Sequence, residues 1–258
     1  MEDTRFTELD EIVTTVNDNI TIAEPVSGQR FGTDALLLAA FAKKSPKSRA
    51  VELGTGSGIV SLLCAGRGKF AHIDAVEVQP ALAELCKRNI ERNGLQERIS
   101  AYCADAREFC RLPDRSCAYD VALFNPPYMR VGDGYRSDDA GRDAARRELH
   151  GDIFELCGAV SKLLRTGGIF YSVYRPDRLA DLVCALRAAA LEPKRVIFVC
   201  DELGRAPCLV LTEARKDGGV SAYVTPPFIL REGKMTTPDF DYLLENGEFP
   251  RKYVSIFP

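Results

Sequence analysis

Only two of the 258 residues are histidine, His72 and His150, so no histidine-rich metal site is expected. The nine cysteines contain no Cys-x-x-Cys pair, and the even spacing of Cys103, Cys110 and Cys117 matches no metal-knuckle pattern. A chain that binds no metal is the expectation. Cysteines such as Cys64, Cys184 and Cys208 sit in apolar runs, where they read as packing residues in a reducing cytoplasm. No apolar run approaches the length of a membrane span, and Met1 to Arg5 is too polar to begin a signal peptide. A net charge of −3 gives no global attraction to nucleic acid, so any RNA contact has to rest on a local basic patch. No internal repeat is visible.

What the chain has is a proline-stiffened loop at the end of a buried strand. Tyr119 to Phe124 is an apolar run that stops at Asn125-Pro126-Pro127-Tyr128. Neither proline can donate to a strand ladder, and each restricts the residue before it. Open α/β sheets place ligands beyond the carboxyl ends of their strands. Asn125 offers a side-chain carbonyl as acceptor, and the backbone carbonyl of Pro126 offers a second. Together they suit the two hydrogens of a planar amino or amide group. Tyr128 supplies a face on which a flat substrate can stack, with Pro127 beside it. The alternative for the tetrapeptide is a plain proline-rich turn with a buried tyrosine.

Upstream, Ile20 to Ile22 reads as one strand of an N-terminal hairpin. The turn-rich stretch Pro25 to Thr33 follows, with Thr33 as the expected N-cap of an apolar helix running to Phe41. Arg30, Phe31 and Asp34 stand at the start of that helix, placed to face a cofactor; for Asp34 the alternative is stabilisation of the first turn. Lys43 to Arg49 reads as a solvated basic linker, and Ala50 to Leu53 as the first strand of the main sheet. It carries Glu52 and runs into Gly54-Thr55-Gly56-Ser57-Gly58 and a helix from Ile59 to about Gly66. A dinucleotide fingerprint needs Gly-x-Gly-x-x-Gly, which would put glycine where Ile59 stands; that disfavours a dehydrogenase.

The second strand, His72 to Val78, places Glu77 near its carboxyl end, where a carboxylate can accept from both hydroxyls of a ribose. Pro80 opens a helix that ends before Gly94. The third strand, Ile99 to Cys103, is followed by Asp105, which can accept from an adenine amino group with Ala104 and Ala106 lining the ring, or serve as an N-cap. Met129 to Arg147 is glycine-rich and charged. Its Arg136, Arg142 and Arg146 can contact phosphates, although the interspersed aspartates also suit a solvated loop. Later elements are a helix over Asp152–Leu164, a strand over Ile169–Tyr174, a helix from Pro176 to about Ala190, and strands over Arg195–Val199 and Ala206–Glu213. The last two strands have no helix between them, so one must run antiparallel. The expectation is an α/β, Rossmann-like sheet of seven mostly parallel strands. Residues 1–48 form an N-terminal extension, 49–224 the core and 225–258 an irregular tail.

Gly-x-Gly-x-Gly after Glu52, together with Glu77, Asp105 and Asn-Pro-Pro-Tyr in that order, resembles class I methyltransferases that use S-adenosylmethionine. The segment Pro25 to Phe41, with Ala144 to Glu148, Leu164 to Gly168 and Tyr174 to Leu179, is similar to the bacterial tRNA adenine-N6 methyltransferase family, over roughly residues 20–233. The resemblance implies a methyltransferase acting on an adenine N6 amine in RNA, most simply tRNA beside the anticodon. It implies Asn125, Pro126 and Tyr128 as catalytic residues. Arg30, Phe31, Asp34, Glu52, Gly54, Thr55, Gly56, Gly58, Glu77, Val78, Asp105, Ala106 and Asn125 would meet the cofactor, and Pro127, Tyr128, Arg136, Arg142 and Arg146 the substrate. The protein is expected to be a monomer or weak homodimer without membrane contact. Protein glutamine-N5 and rRNA guanine-N2 methyltransferases share the motif but usually carry a further domain. A non-catalytic cofactor-binding RNA-binding protein stays open as a different class.

Overall fold

The computed structural model describes residues 11–26, 30–126 and 153–254. The N-terminal segment forms an antiparallel hairpin, β1 (Glu11–Asn17) and β2 (Ile20–Pro25). It leads to α1 (Thr33–Phe41), which is buried nearly all round, as its composition requires. Gly32, not Thr33, is the N-cap, and no side chain caps the helix; Asp34 folds back so that a Cβ on Gly32 would lie 2.6 Å from its Oδ1. At the other end, the carbonyls of Ala39, Ala40 and Ala42 accept from the Nζ of Lys69 at 2.8, 3.2 and 2.7 Å. A buried cation thereby satisfies groups that the helix itself leaves unpaired, while burial lowers the Lys69 pKa.

The main sheet starts earlier than expected. β3 (Ser45–Leu53) takes in most of the basic stretch, because Ser45 pairs with Phe70 before a shift in register. It is followed by α2 (Ile59–Gly66), β4 (Phe70–Glu77), α3 (Pro80–Arg92), β5 (Ile99–Cys103), the short α4 (Ala106–Phe109) and β6 (Tyr119–Phe124). Pro80 opens α3, and Gly94, in the left-handed region, follows its end. After residue 152 come α5 (Ile153–Leu163), β7 (Leu164–Tyr174), a 3₁₀ turn (Pro176–Arg178), α6 (Leu179–Ala188), β8 (Leu191–Glu202) and β9 (Leu209–Lys216). β7 begins five residues earlier than its apolar run. Gly167, at φ +77°, absorbs the register shift against β6, and a Cβ there would sit 3.4 Å from Arg215. β8 overruns the expected bounds at both ends, held by β9 up to Val199 and by β11 beyond it, and β9 starts and ends three residues later than expected.

The order β5-β4-β3-β6-β7-β9-β8 is the expected core, with β9 antiparallel to both neighbours and the remaining strands parallel to one another. The sheet does not stop there. β10 (Tyr223–Val224) and β11 (Phe228–Glu232) pair with β8, and β12 (Met235–Thr236) pairs with β11, giving ten strands among the described residues. The tail is therefore not irregular. It continues into α7 (Pro238–Asn246), capped by Thr237 and closed by Gly247. One apolar layer holds α1, α2, α3 and the tail; the other holds α4, α5 and α6. Cys64 packs as expected, whereas Cys184 and Cys208 are exposed.

The tail is fixed by aromatic packing. Phe228 is fully buried, with ring centroids 4.7 Å from Phe249, 5.1 Å from Tyr253 and 6.3 Å from Phe240. Phe249 in turn meets Phe41 on α1 at 6.0 Å. Buried Arg195 lies 4.0 Å above the Phe41 ring and donates to the carbonyls of Phe41 and Tyr253 at 3.1 and 3.0 Å. Phe228→Ala is expected to cost about 3–5 kcal/mol. Denaturant unfolding measures it, and a loss below about 1 kcal/mol would show the tail to be an accessory rather than part of the core.

Candidate active site

Parallel register brings the predicted residues to one edge. Leu53 of β3 is paired with Val76 on one side and Phe124 on the other, and Glu77 is paired with Cys103. Glu77, Gly54 and Asn125 therefore follow one another across the neighbouring ends of β4, β3 and β6, spaced by the ~4.8 Å between strands. The strand order changes direction between β3 and β6, which is where such sheets open a crevice.

The glycine loop is held from beneath by Glu52. One oxygen of this buried carboxylate accepts from Thr55 Oγ1 at 2.8 Å, from the Ser61 amide at 3.0 Å, and from Ser61 Oγ. Burial pushes its pKa up to about 7 against the pull of those donors. Glu77 closes the loop from the side: its Oε2 accepts from the Gly56 amide at 2.9 Å and its Oε1 from the Gln79 amide at 3.0 Å. Each oxygen keeps a further lone pair for a ligand. Gly54, Gly56 and Gly58 all have positive φ. A Cβ on Gly56 would meet nothing within 4 Å, so the backbone is open to close approach, whereas one on Gly58 would strike Cys86 Sγ at 2.7 Å.

Asp105 behaves as the N-cap of α4, accepting from the Arg107 amide at 2.7 Å. The Arg107 guanidinium also grips both carboxylate oxygens, with contacts of 2.6 to 3.2 Å, and this holds the Asp105 pKa below the usual carboxylate range. Arg107 in turn reaches Glu155 at 3.3 Å. Sequence reasoning missed Arg107; its place two residues beyond an N-cap aspartate was the available signal. Ala106 starts α4 and is half-buried, while Val78 lies just past β4 and is exposed.

Phe31 is half-buried against the core, its amide donating to Glu24 at 2.6 Å; Asp34 is half-buried in the first turn of α1, and Arg30 is exposed. Burial raises the pKa of Glu24, a buried carboxylate that the sequence did not single out. Asn125 and Pro126 are half-buried. The Asn125 Oδ1 atom is buried and, among the described residues, has no hydrogen-bond partner. A buried amide oxygen without a donor costs stability, and a ligand donor removes that cost. Pro127, Tyr128, Arg136, Arg142 and Arg146 lie outside the described residues. Among the described residues, no group of three or more His, Cys, Asp or Glu could hold a metal, and no helix is long and apolar enough to cross a membrane.

Residues 29–140 match the family model described as the methyltransferase small domain. A Bacteroides fragilis protein named tRNA1(Val) (adenine(37)-N6)-methyltransferase is 30% identical over 187 residues, covering 72% of this chain and 77% of that protein. A protein of the same name from Shewanella amazonensis is 31% identical over 180 residues, covering 70% and 75%. Among solved structures, a predicted O-methyltransferase from Agrobacterium tumefaciens superposes with a TM-score of 0.67 at 21% identity, covering 84% of this chain and 98% of that one. TYW2 from M. jannaschii, solved in complex with AdoMet, gives 0.56 at 12% identity, covering 81% and 87%. The structural likenesses carry the fold.

Glu52 gives this site a pH signature. Between about 4.5, the ordinary value, and about 7, the folded chain keeps a proton that the unfolded chain has released. Folding stability therefore falls as pH rises through that window, and Glu52→Gln removes this slope. Thermal melts of both proteins across the window test it: the wild type loses ground to the variant with rising pH, and parallel curves contradict the assignment.

Proposed function

We propose that this chain, which belongs to the tRNA1(Val) (adenine(37)-N6)-methyltransferase family, transfers a methyl group from S-adenosylmethionine to the exocyclic N6 amine of an adenine in tRNA. The observation that carries this reading to the level of residues is the buried Asn125 Oδ1 at the end of β6, unpartnered among the described residues and one strand from the glycine loop.

The residues fit the cofactor. Gly54, Thr55, Gly56 and Gly58 form the loop that meets its amino-acid end, with the backbone open at Gly56 and Glu52 bracing the loop. Glu77 has lone pairs left for the ribose hydroxyls. Asp105 takes the adenine amine, with Val78 and Ala106 beside the ring, and Arg30, Phe31 and Asp34 close the amino-terminal side. When bound, S-adenosylmethionine supplies an electrophilic methyl on a sulfonium.

Asn125 Oδ1 and the Pro126 carbonyl accept the two hydrogens of the target amine. That fixes the nitrogen lone pair toward the methyl carbon and weakens its delocalisation into the ring. Tyr128 stacks on a base taken out of its helix, and Pro127 stiffens the contact. Arg136, Arg142 and Arg146 hold phosphates. Most of the acceleration is positioning. The methylated nitrogen is acidic and gives its proton to water, so no strong base is required, and neither is a metal. The protein works in the cytoplasm as a monomer or weak homodimer.

The test is transfer of labelled methyl to separate pools of tRNA, rRNA and protein. The expected result is label in tRNA, recovered as N6-methyladenosine. Label confined to protein glutamine or to rRNA guanine would overturn the reading.

A further inference from the structure

Asn89 is a fully buried polar residue on α3, among apolar neighbours Leu85, Cys86 and Ile90. Its amide uses every hydrogen-bonding valence it has. Oδ1 accepts from the Ala23 amide at 2.8 Å and from Arg92 Nη1 at 2.8 Å. Nδ2 donates to the Ala23 carbonyl at 2.9 Å and to the Ser57 carbonyl at 2.9 Å. One turn later, Asn93 repeats half of this pattern. It accepts from the Thr21 amide at 2.9 Å and donates to the Thr21 and Asn89 carbonyls, both at 2.7 Å.

The spacing explains the pattern. Residues four apart on a helix rise about 6 Å, and residues two apart on a strand rise about 6.6 Å. Asn89 on α3 and Asn93 at its C-cap therefore match Ala23 and Thr21, whose backbone groups point away from β1 along the other edge of β2. The helix stands in for a neighbouring strand and covers an edge that would otherwise be open. Beyond α3 itself, Asn93 reaches the hairpin alone among the described residues. Asn89 also reaches the glycine loop, which α3 already touches where Cys86 lies under Gly58. The residue after Ala23, Glu24, holds the Phe31 amide at 2.6 Å.

We propose that Asn89 is a positioning residue for the cofactor: its single amide ties the Ser57 carbonyl of the glycine loop to the N-terminal hairpin, so hairpin docking and cofactor affinity are coupled. This rests on the reading that the Gly54–Gly58 loop holds S-adenosylmethionine. The coupling is reciprocal, so the bound cofactor protects the hairpin in turn.

Calorimetric titration of S-adenosylmethionine into wild type, Asn89→Ala, Asn89→Asp and Asn93→Ala tests it, with a thermal melt of each. Asn93→Ala lowers the melting temperature but leaves Kd within about threefold. Both Asn89 variants raise Kd roughly tenfold or more, the scale of stranding a buried carbonyl, while kcat at saturating cofactor stays within about threefold of wild type. Asn89→Asp keeps the shape and both acceptor contacts but turns the donor amide into a carboxyl oxygen facing the Ala23 and Ser57 carbonyls, so it breaks the same tie without leaving a cavity and carries the comparison if Asn89→Ala does not fold. Equal changes in Kd at positions 89 and 93, or no change at 89, would overturn the proposal. A wild type that binds no S-adenosylmethionine would instead contradict the underlying reading, and this proposal with it.

Discussion

Leu53 pairs with Val76 and with Phe124 at once, and the arrangement of the site depends on that shared register. Because β3, β4, β5 and β6 are parallel, their carboxyl ends reach one edge together, and whatever follows each strand is delivered to the same crevice. Slipping any of these strands by one residue would turn its buried side chains to the other face. The apolar runs of β3 and β6 therefore set the position of Gly54 and Asn125 as firmly as they set the core.

Around that edge, buried carboxylates do the local work. Glu52 and Glu77 each meet backbone amides of the loop or of the helix entrance. Glu24 does the same for Phe31. Each acid replaces a backbone partner that a turn cannot provide for itself. The loops are shaped by acidic side chains placed beneath them, and this leaves the Gly56 backbone clear.

The parallel core and the glycine loop were legible because their signals are local: apolar runs for strands, proline and glycine at the ends of α3, glycine where φ is positive. The family motifs put Glu77, Asp105 and Asn125 at successive strand ends, and register places them there. What the sequence hid is made by contacts between distant segments. Pro226 and Pro227 suggested an irregular tail, yet Phe228 pairs with Val199 and seats an aromatic cluster. Lys69 in a turn gives no hint that it caps α1, thirty residues away in sequence. No local signal singles out Asn89, and its burial comes from the docked hairpin and the glycine loop.

The most direct test of the account is to separate binding from transfer at Asn125. In Asn125→Ala, S-adenosylmethionine affinity should stay within about threefold of wild type, while methyl transfer at saturating substrates falls on the order of 100-fold or more. Loss of cofactor affinity as large as the loss of rate would contradict the account, as would a variant that transfers methyl at the wild-type rate.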